Sequence, residues 1–404
     1  MAFIVSPDIN PNTNQMILPT EELNFFMADQ YQSNFDFYQG QFSVYSWMKL
    51  NKKQKFVLNR MSGNPLIWQS QNSCAWNPTQ SISMGQQEFE PCAVEINEEY
   101  CHDEKIESSM EVMLEWSDNP GVDVDEAGEK IVDAMVQTIV QNAVLGFKGN
   151  LTAGQSYNPE AIDFTADTPA NIVQLFTNSM NACRGWVELL KVKANDQGYD
   201  HLNYSDAILD ANADGVKYTG DIVTLYDALF AEAKPELQDF VKEGGVVGPL
   251  AQVLPVFMLT PQLWLRLTIE YTEQQHSSPV ITPRITIREF TYNVNGRQTP
   301  VHVYYIDQTP VVKVNDFKMY DKYMNGSTYL AAITSAGNIQ LGGSFDNLPT
   351  VNNGVLDGTG FLVEQSARAK DYGRYYVLSN ALMANTIADT NFIVAAQKFV
   401  EKAS

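Results

Sequence analysis

An α+β fold is predicted, and three features of the sequence predict it. One long apolar stripe at helical spacing runs through residues 124–146. Strand-like runs crowd residues 279–345 and return in 361–400, punctuated by Gly, Asn and Pro. Helical and strand-like stretches do not alternate as a βαβ series, so strands distant in sequence must share a sheet. With 404 residues, 44% of them hydrophobic and 11% aromatic, the chain can fill one large core or two modest ones.

Taken in order, residues 1–45 combine helix- and strand-breakers (Pro7, Asn10, Pro11, Asn12, Asn14) with rings that need burial (Phe25, Phe26, Tyr31, Phe35, Phe37, Tyr38). An arm lying across a neighbouring surface satisfies both demands. Residues 46–60 carry Lys49, Lys52, Lys53, Lys55 and Arg60, the dense basic cluster of an acidic protein. It reads either as a solvated face or as a contact to an acidic neighbour or DNA. Residues 63–100 read as an extended hairpin with turns at Gly63-Asn64-Pro65 and Trp76-Asn77-Pro78, and Pro91 bars its strand from the middle of a sheet.

The clearest helix follows. Asp123, Asp125 and Glu126 suit its start. Val132, Met135, Val136, Ile139, Val140, Ala143 and Val144 form one face, and Gly146 and Gly149 are expected to end it. Residues 124–146 would span ~35 Å. Further helices are expected over Ala170–Leu190 and Asp221–Val241. A buried strand is expected over 251–259, and a helix opening at Thr260-Pro261. Strands are expected at ITPRITIREF, PVHVYYI, TPVVKV, TYLAAIT, NIQLGG, FLVEQSARA and YYVLSNALMA.

The formal net charge is −22, from 48 acidic and 26 basic residues, which excludes nucleic-acid binding over the general surface. The four cysteines, Cys74, Cys92, Cys101 and Cys183, form no CxxC pair, so reduced thiols are expected. No apolar run reaches membrane-spanning length, and the N-terminus lacks a signal-peptide pattern. Only four histidines are present, and no metalloprotease, nucleophile-elbow, dinucleotide or phosphate-loop motif appears, so the chain is not read as an enzyme. One local pattern does carry chemistry. Asp210, Asn212, Asp214 and Asp221 place oxygen ligands at positions 1, 3, 5 and 12 of a calcium loop, with Gly215 at position 6. Lys217 and the short Asp221 depart from that pattern. The other reading is a polar turn ahead of a helix capped by Asp221, and no cofactor beyond this structural calcium is expected.

The order of these elements resembles a known family. The stretch QEFEPCAVEINEEYCHDEKIESSMEVMLEWSD followed by DEAGEKIVDAMVQTIVQNAVLGFKGN is similar to the region leading into the spine helix of tailed-bacteriophage major capsid proteins of the Hong Kong 97-like fold. PVFMLTPQLWLRL resembles that family's strand-then-helix step. Pro310, Val311 and Val312, then Gly337, Asn338, Ile339 and Gly342, resemble its paired strands. The resemblance implies an N-terminal arm (1–62), an extended hairpin (63–105), a peripheral domain with its spine helix near 124–146 (106–165 and 360–404), and an axial domain (166–359). It implies a virion structural protein, assembled in the host cytoplasm, that self-associates as pentamers and hexamers into an icosahedral shell. Scaffold, portal and decoration proteins would be partners. DNA would lie against the inner face without sequence-specific contact, and no membrane is involved. Phe25, Phe26, Tyr31, Phe35 and Trp47 would be apolar inter-subunit anchors. Lys49, Lys52, Lys53 and Lys55 would pair with acids of a neighbour. Two readings compete: a tail or baseplate component, and a calcium-dependent carbohydrate-binding module.

Overall fold

A computed structural model describes residues 8–10, 15–17, 44–50, 56–63, 82–101, 142, 146–196, 207–210, 213–214, 217–218, 220–247, 252–276, 283–294, 297–314, 324, 328–344, 350–352, 355–357, 360–365 and 374–399. The expected spine helix lies outside these residues, apart from Asn142 and Gly146.

Six strands form the central sheet: β7 (Pro255–Leu259), β8 (Ile285–Val294), β9 (Arg297–Ile306), β10 (Thr309–Lys313), β11 (Tyr329–Ser335) and β15 (Ile393–Lys398), in the order β8-β9-β10-β7-β11-β15. Only β7 and β10 run parallel; the other pairs are antiparallel. The apolar run Pro255–Leu259 has no polar alternation because both of its faces are covered. Val256 and Met258 enter one core, Phe257 and Leu259 the other. The same division recurs in β11, where Leu330 and Ala332 oppose Tyr329, Ala331 and Ile333. In β15, Ile393 and Ala395 oppose Val394 and Ala396.

On the second core pack three helices, α3 (Ile222–Glu232), α4 (Pro235–Lys242) and α5 (Pro261–His276). The first core holds α1 (Ala170–Asn181) and α2 (Trp186–Asp196), with Phe176, Met180, Trp186 and Leu190 fully or almost fully buried. Residues 221–241 are therefore not one helix. Pro235 lacks an amide to donate, ends α3 and opens α4 at its first turn. Residues 170–190 likewise break at 182–185. Gly185 donates its N–H to the Gly154 carbonyl at 2.7 Å, and a Cβ there would lie 2.5 Å from the backbone of Thr152 and Gly154.

Helical structure runs on through 146–153, so Gly146 and Gly149 do not end it. The stop comes at Gly154, where a Cβ would meet the Cys183 carbonyl.

The second large sheet has seven strands: β1 (Asp8–Asn10), β2 (Gln15–Ile17), β3 (Tyr45–Lys49), β6 (Cys92–Cys101), β12 (Ile339–Ser344), β13 (Gly360–Gln365) and β14 (Arg374–Ile387). β14 is its spine. One edge of β14 pairs with β6 along Arg374–Met383; the other takes β13 and then β12. Pro91 stands immediately before β6, which pairs with β14 alone, as expected of an edge strand. Sheet membership crosses the expected 359/360 boundary: β12 belongs with β14, and β15 belongs with β7 and β11.

The cysteines differ from expectation. Cys92 and Cys183 are disulfide-bonded, with Cα atoms 6.1 Å apart. They are separated by 91 residues in sequence, so only the tertiary fold brings them together and no spacing rule could show it.

Candidate assembly surfaces

Two antiparallel ribbons are two-stranded over most of their length among the described residues. The first is β4 (Phe56–Gly63) with β5 (Ile82–Phe89), joined antiparallel from Phe56↔Phe89 to Gly63↔Ile82. Eight residues of strand extend ~27 Å. Among the described residues no third strand pairs with either outer edge. Glu90 and Pro91 link this ribbon to β6.

The second ribbon is β8–β9. Its register runs from Ile285↔Ile306 to Val294↔Arg297, and the intervening sequence, Asn295-Gly296, is one suited to a two-residue turn. β9 also pairs with β10 through Tyr305 and Ile306. Among the described residues the rest of the hairpin is two-stranded. Its root is fixed by Arg284. That guanidinium donates to both carboxylate oxygens of Asp227 (2.6 and 2.8 Å) and to both of Asp307 (3.1 and 2.7 Å). These two carboxylates hold the guanidinium well above its ordinary pKa. Further out, Arg288 lies 4.2 Å from the Tyr305 ring centre, and Phe290 is exposed. Leu265 and Ile269, one turn apart on α5, are exposed too, as is Leu175 on α1. The Asn-Gly signal of the second ribbon is present in the sequence.

Of the sequence-predicted contact residues, Phe25, Phe26, Tyr31, Phe35, Lys52, Lys53 and Lys55 lie outside the described residues. Trp47 and Lys49 are in β3, which is not a free arm. It runs parallel to β12 within the chain's own sheet, with Trp47 opposite Leu341 and Lys49 opposite Gly343. Tyr45 opens this pairing opposite Ile339, Val44 and Leu50 flank it, and all three are buried. β1 and β2 also attach to the body, through β13. Strand-forming residues at 44–50 find a partner edge within the chain, a pairing that composition alone does not reveal.

The calcium-loop residues are partly described. Asp210 closes a helical turn, Ala207–Asp210, and Asp214 pairs with Lys217 in a two-residue ladder; Asn212 lies outside the described residues. The Asp221 carboxylate accepts from Arg266 Nη2 at 3.0 Å. Glu270, buried on α5, instead caps α3: its carboxylate accepts from the Ile222 amide at 2.7 Å. Burial pushes its pKa up, partly opposed by bonds from the Ile222 and Val223 amides. Among the described residues, no group of three or more His, Cys, Asp or Glu side chains converges as metal ligands. The fold thus pairs Asp221 with the Arg266 guanidinium.

A cleft of about 380 Å³ opens between Ser156, Tyr157, Glu188, Lys191 and Phe399. Lys191 Nζ donates to the Ser156 carbonyl at 2.6 Å. The Ser156 hydroxyl lies 2.6 Å from the Ala153 carbonyl and 2.8 Å from Gln397 Oε1. Burial raises the Tyr157 phenol to about 12 and pushes the Glu188 carboxyl up. Among the described residues no helix is long and apolar enough to cross a membrane.

No family model and no curated protein matches the sequence. Solved structures do match over most of the chain. A chain of the satellite phage P4 procapsid with its size determination (Sid) protein is 11% identical, with a TM-score of 0.48, covering 93% of this chain and 90% of that one. A head chain of Helicobacter pylori bacteriophage KHP40 is 9% identical, with a TM-score of 0.41 and coverages of 89% and 88%. A capsid chain of a native GTA particle is 10% identical, with a TM-score of 0.39 and coverages of 88% and 88%. These matched chains come from a phage procapsid, a phage head and a GTA capsid.

Proposed function

We propose that the chain is a structural subunit that self-assembles into the icosahedral shell of a tailed phage, around its DNA. The observation that carries this reading is the β4–β5 ribbon. A lone two-stranded ribbon is marginally stable in water. Its free edges also invite pairing with another chain. A sister subunit that covers the ribbon resolves both problems, and a closed shell repeats that solution at every subunit. The strongly acidic composition fits an inner face that does not adhere to packed DNA.

In this reading the unit is of the Hong Kong 97-like type, with β4–β5 as its extended hairpin. The rings Phe25, Phe26, Tyr31 and Phe35 and the lysines Lys52, Lys53 and Lys55 supply further contacts to neighbours. Assembly takes place in the host cytoplasm with a scaffold protein; a portal and decoration proteins complete the particle.

The test is expression of the chain with and without residues 56–89, followed by sedimentation and negative-stain imaging, alone and with a scaffold partner. The intact chain should give closed particles or sheets, and the deleted chain a folded monomer. An intact chain that remains monomeric under all these conditions overturns the proposal.

A further inference from the structure

We propose that the Cys92–Cys183 bridge is a redox-closed clamp on the root of the β4–β5 ribbon. Its two ends differ in kind. Cys92 opens β6, directly after Glu90-Pro91, the two residues through which the ribbon joins the body. It pairs with Met383 at the end of the β6–β14 ladder. Cys183 is buried in a rigid knot of backbone. A Cβ on Gly154 would lie 2.0 Å from the Cys183 carbonyl, and Gly185 donates to the Gly154 carbonyl at 2.7 Å. Gln155 donates its amide to the Met180 carbonyl at 2.9 Å, and the Asn385 side chain reaches the Arg184 carbonyl at 2.6 Å. The bridge therefore joins the root of the ribbon to a close crossing of backbone held by several hydrogen bonds. The Cα separation of 6.1 Å lies within the span a disulfide accepts.

The order of reaction follows from burial. Cys92 is half-buried, whereas Cys183 is only 2% exposed. The Cys92 thiolate attacks a small-molecule disulfide such as oxidised glutathione, forming a mixed disulfide and releasing one glutathione thiolate. The Cys183 thiolate then attacks the Cys92 sulfur and expels the second glutathione. Two protein thiols are oxidised by two electrons; glutathione disulfide takes those electrons and, with the two protons, becomes two thiols. In a reducing cytosol the pair stays open and the ribbon root can adjust. Outside the cell it closes. The timing rests on the shell reading; the clamp does not, and its test uses the soluble full-length chain.

Protein denatured and alkylated at lysis should carry label on both Cys92 and Cys183. After exposure to oxidised glutathione, the two should appear in one cross-linked peptide on non-reducing digestion. Oxidised protein should melt about 5 °C above reduced protein, as expected for closing a loop of this length in a chain of this size. The C92A/C183A double variant should match the reduced wild type and ignore reductant; should it fail to fold, the oxidised and reduced wild type still give the comparison. Amide exchange at 82–93 should quicken on reduction. Pairing through Cys74 or Cys101, equal melting in both redox states, or unchanged exchange at 82–93 would each overturn the clamp. A bridge already complete at lysis would overturn its timing.

Discussion

Glu270 gives the sharpest test of how the helical layer is held together. α3 begins at Ile222 without a side-chain cap of its own, because Asp221 makes no capping bond and turns to Arg266. The acceptor comes from another helix: Glu270 takes the Ile222 amide proton at 2.7 Å. Replacing Glu270 with alanine strands that amide in a buried site. Loss of a cap, together with an unpaired buried donor, costs roughly 2 kcal/mol. For a chain of this length that lowers the melting temperature by roughly 2–3 °C. Glu270→Gln keeps an acceptor oxygen and removes the buried charge, so at pH 7 it should melt close to wild type. Burial raises the carboxyl above its ordinary value of 4.5. A raised carboxyl pKa means the folded state binds the proton more tightly than the unfolded one, so acidification favours folding. Wild type should gain stability relative to Glu270→Gln as pH falls from the raised folded value to about 4.5, and the gap should stay constant below that. Calorimetric scans of the three proteins from pH 7 to pH 4 measure both effects. An unchanged melt for Glu270→Ala, or a wild type that loses ground to Glu270→Gln on acidification, would refute the assignment.

Other perturbations probe separate parts of the molecule. Arg284→Ala should cost about 1–2 kcal/mol in thermal unfolding, since both of its ion pairs are part-exposed, and it should loosen the β8–β9 root in amide exchange. Gly185→Ala should sharply lower the yield of soluble protein, because a methyl there meets backbone at 2.5 Å with no flexible side chain to yield. Phe290→Asp and Ile269→Asp should leave the melting temperature within ~1 °C, because both side chains are exposed. Either substitution should weaken assembly in sedimentation if its surface is buried between subunits. Phe257→Ala should cost about 3–5 kcal/mol in the same melts, as it removes a fully buried ring packed edge-on against Tyr226 at 5.2 Å.

Much of the strand content was readable from period and composition. Pro255–Leu259 has no alternation, and the structure buries it on both faces. The runs at 285–313 and 329–344 fall where β-branched and aromatic residues gather. Pro91 was rightly excluded from a sheet interior. The misses have local causes. Pro235 broke the 221–241 pattern in plain view, but the apolar period on either side of it is continuous enough to hide the break. Gly185 and Gly154 look like ordinary glycines until two backbones are seen to cross at them. The pairing of β3 with β12 and the joining of Cys92 to Cys183 are tertiary facts, set by which edges and sulfurs the fold brings together. At the surface the expected hairpin spanned 63–100, whereas the paired strands are 56–63 and 82–89, and residues 92–101 join the large sheet instead. The exposed Leu265, Ile269 and Phe290 sit within patterns that read equally well as core.

A buried polar crossing joins the two large sheets beside a core that residues of both share, and this bears on what can move. The chain passes from the six-stranded sheet to the seven-stranded one between β11 and β12, and returns between β14 and β15. Both passes meet at Asn338. Its amide nitrogen donates to the carbonyls of Asp389 (2.9 Å) and Phe392 (3.2 Å), its amide oxygen accepts from the Asp389 N–H at 2.8 Å, and its own carbonyl accepts from Ala388 at 2.8 Å. Gly337, at φ 72°, turns the chain into this position at no steric cost. A buried amide used on both its donor and acceptor sides has few alternative arrangements, so the sheets hold one mutual orientation. The two ribbons lie outside this knot, and each is rooted by one local device: Arg284 for β8–β9 and the Cys92–Cys183 bridge for β4–β5.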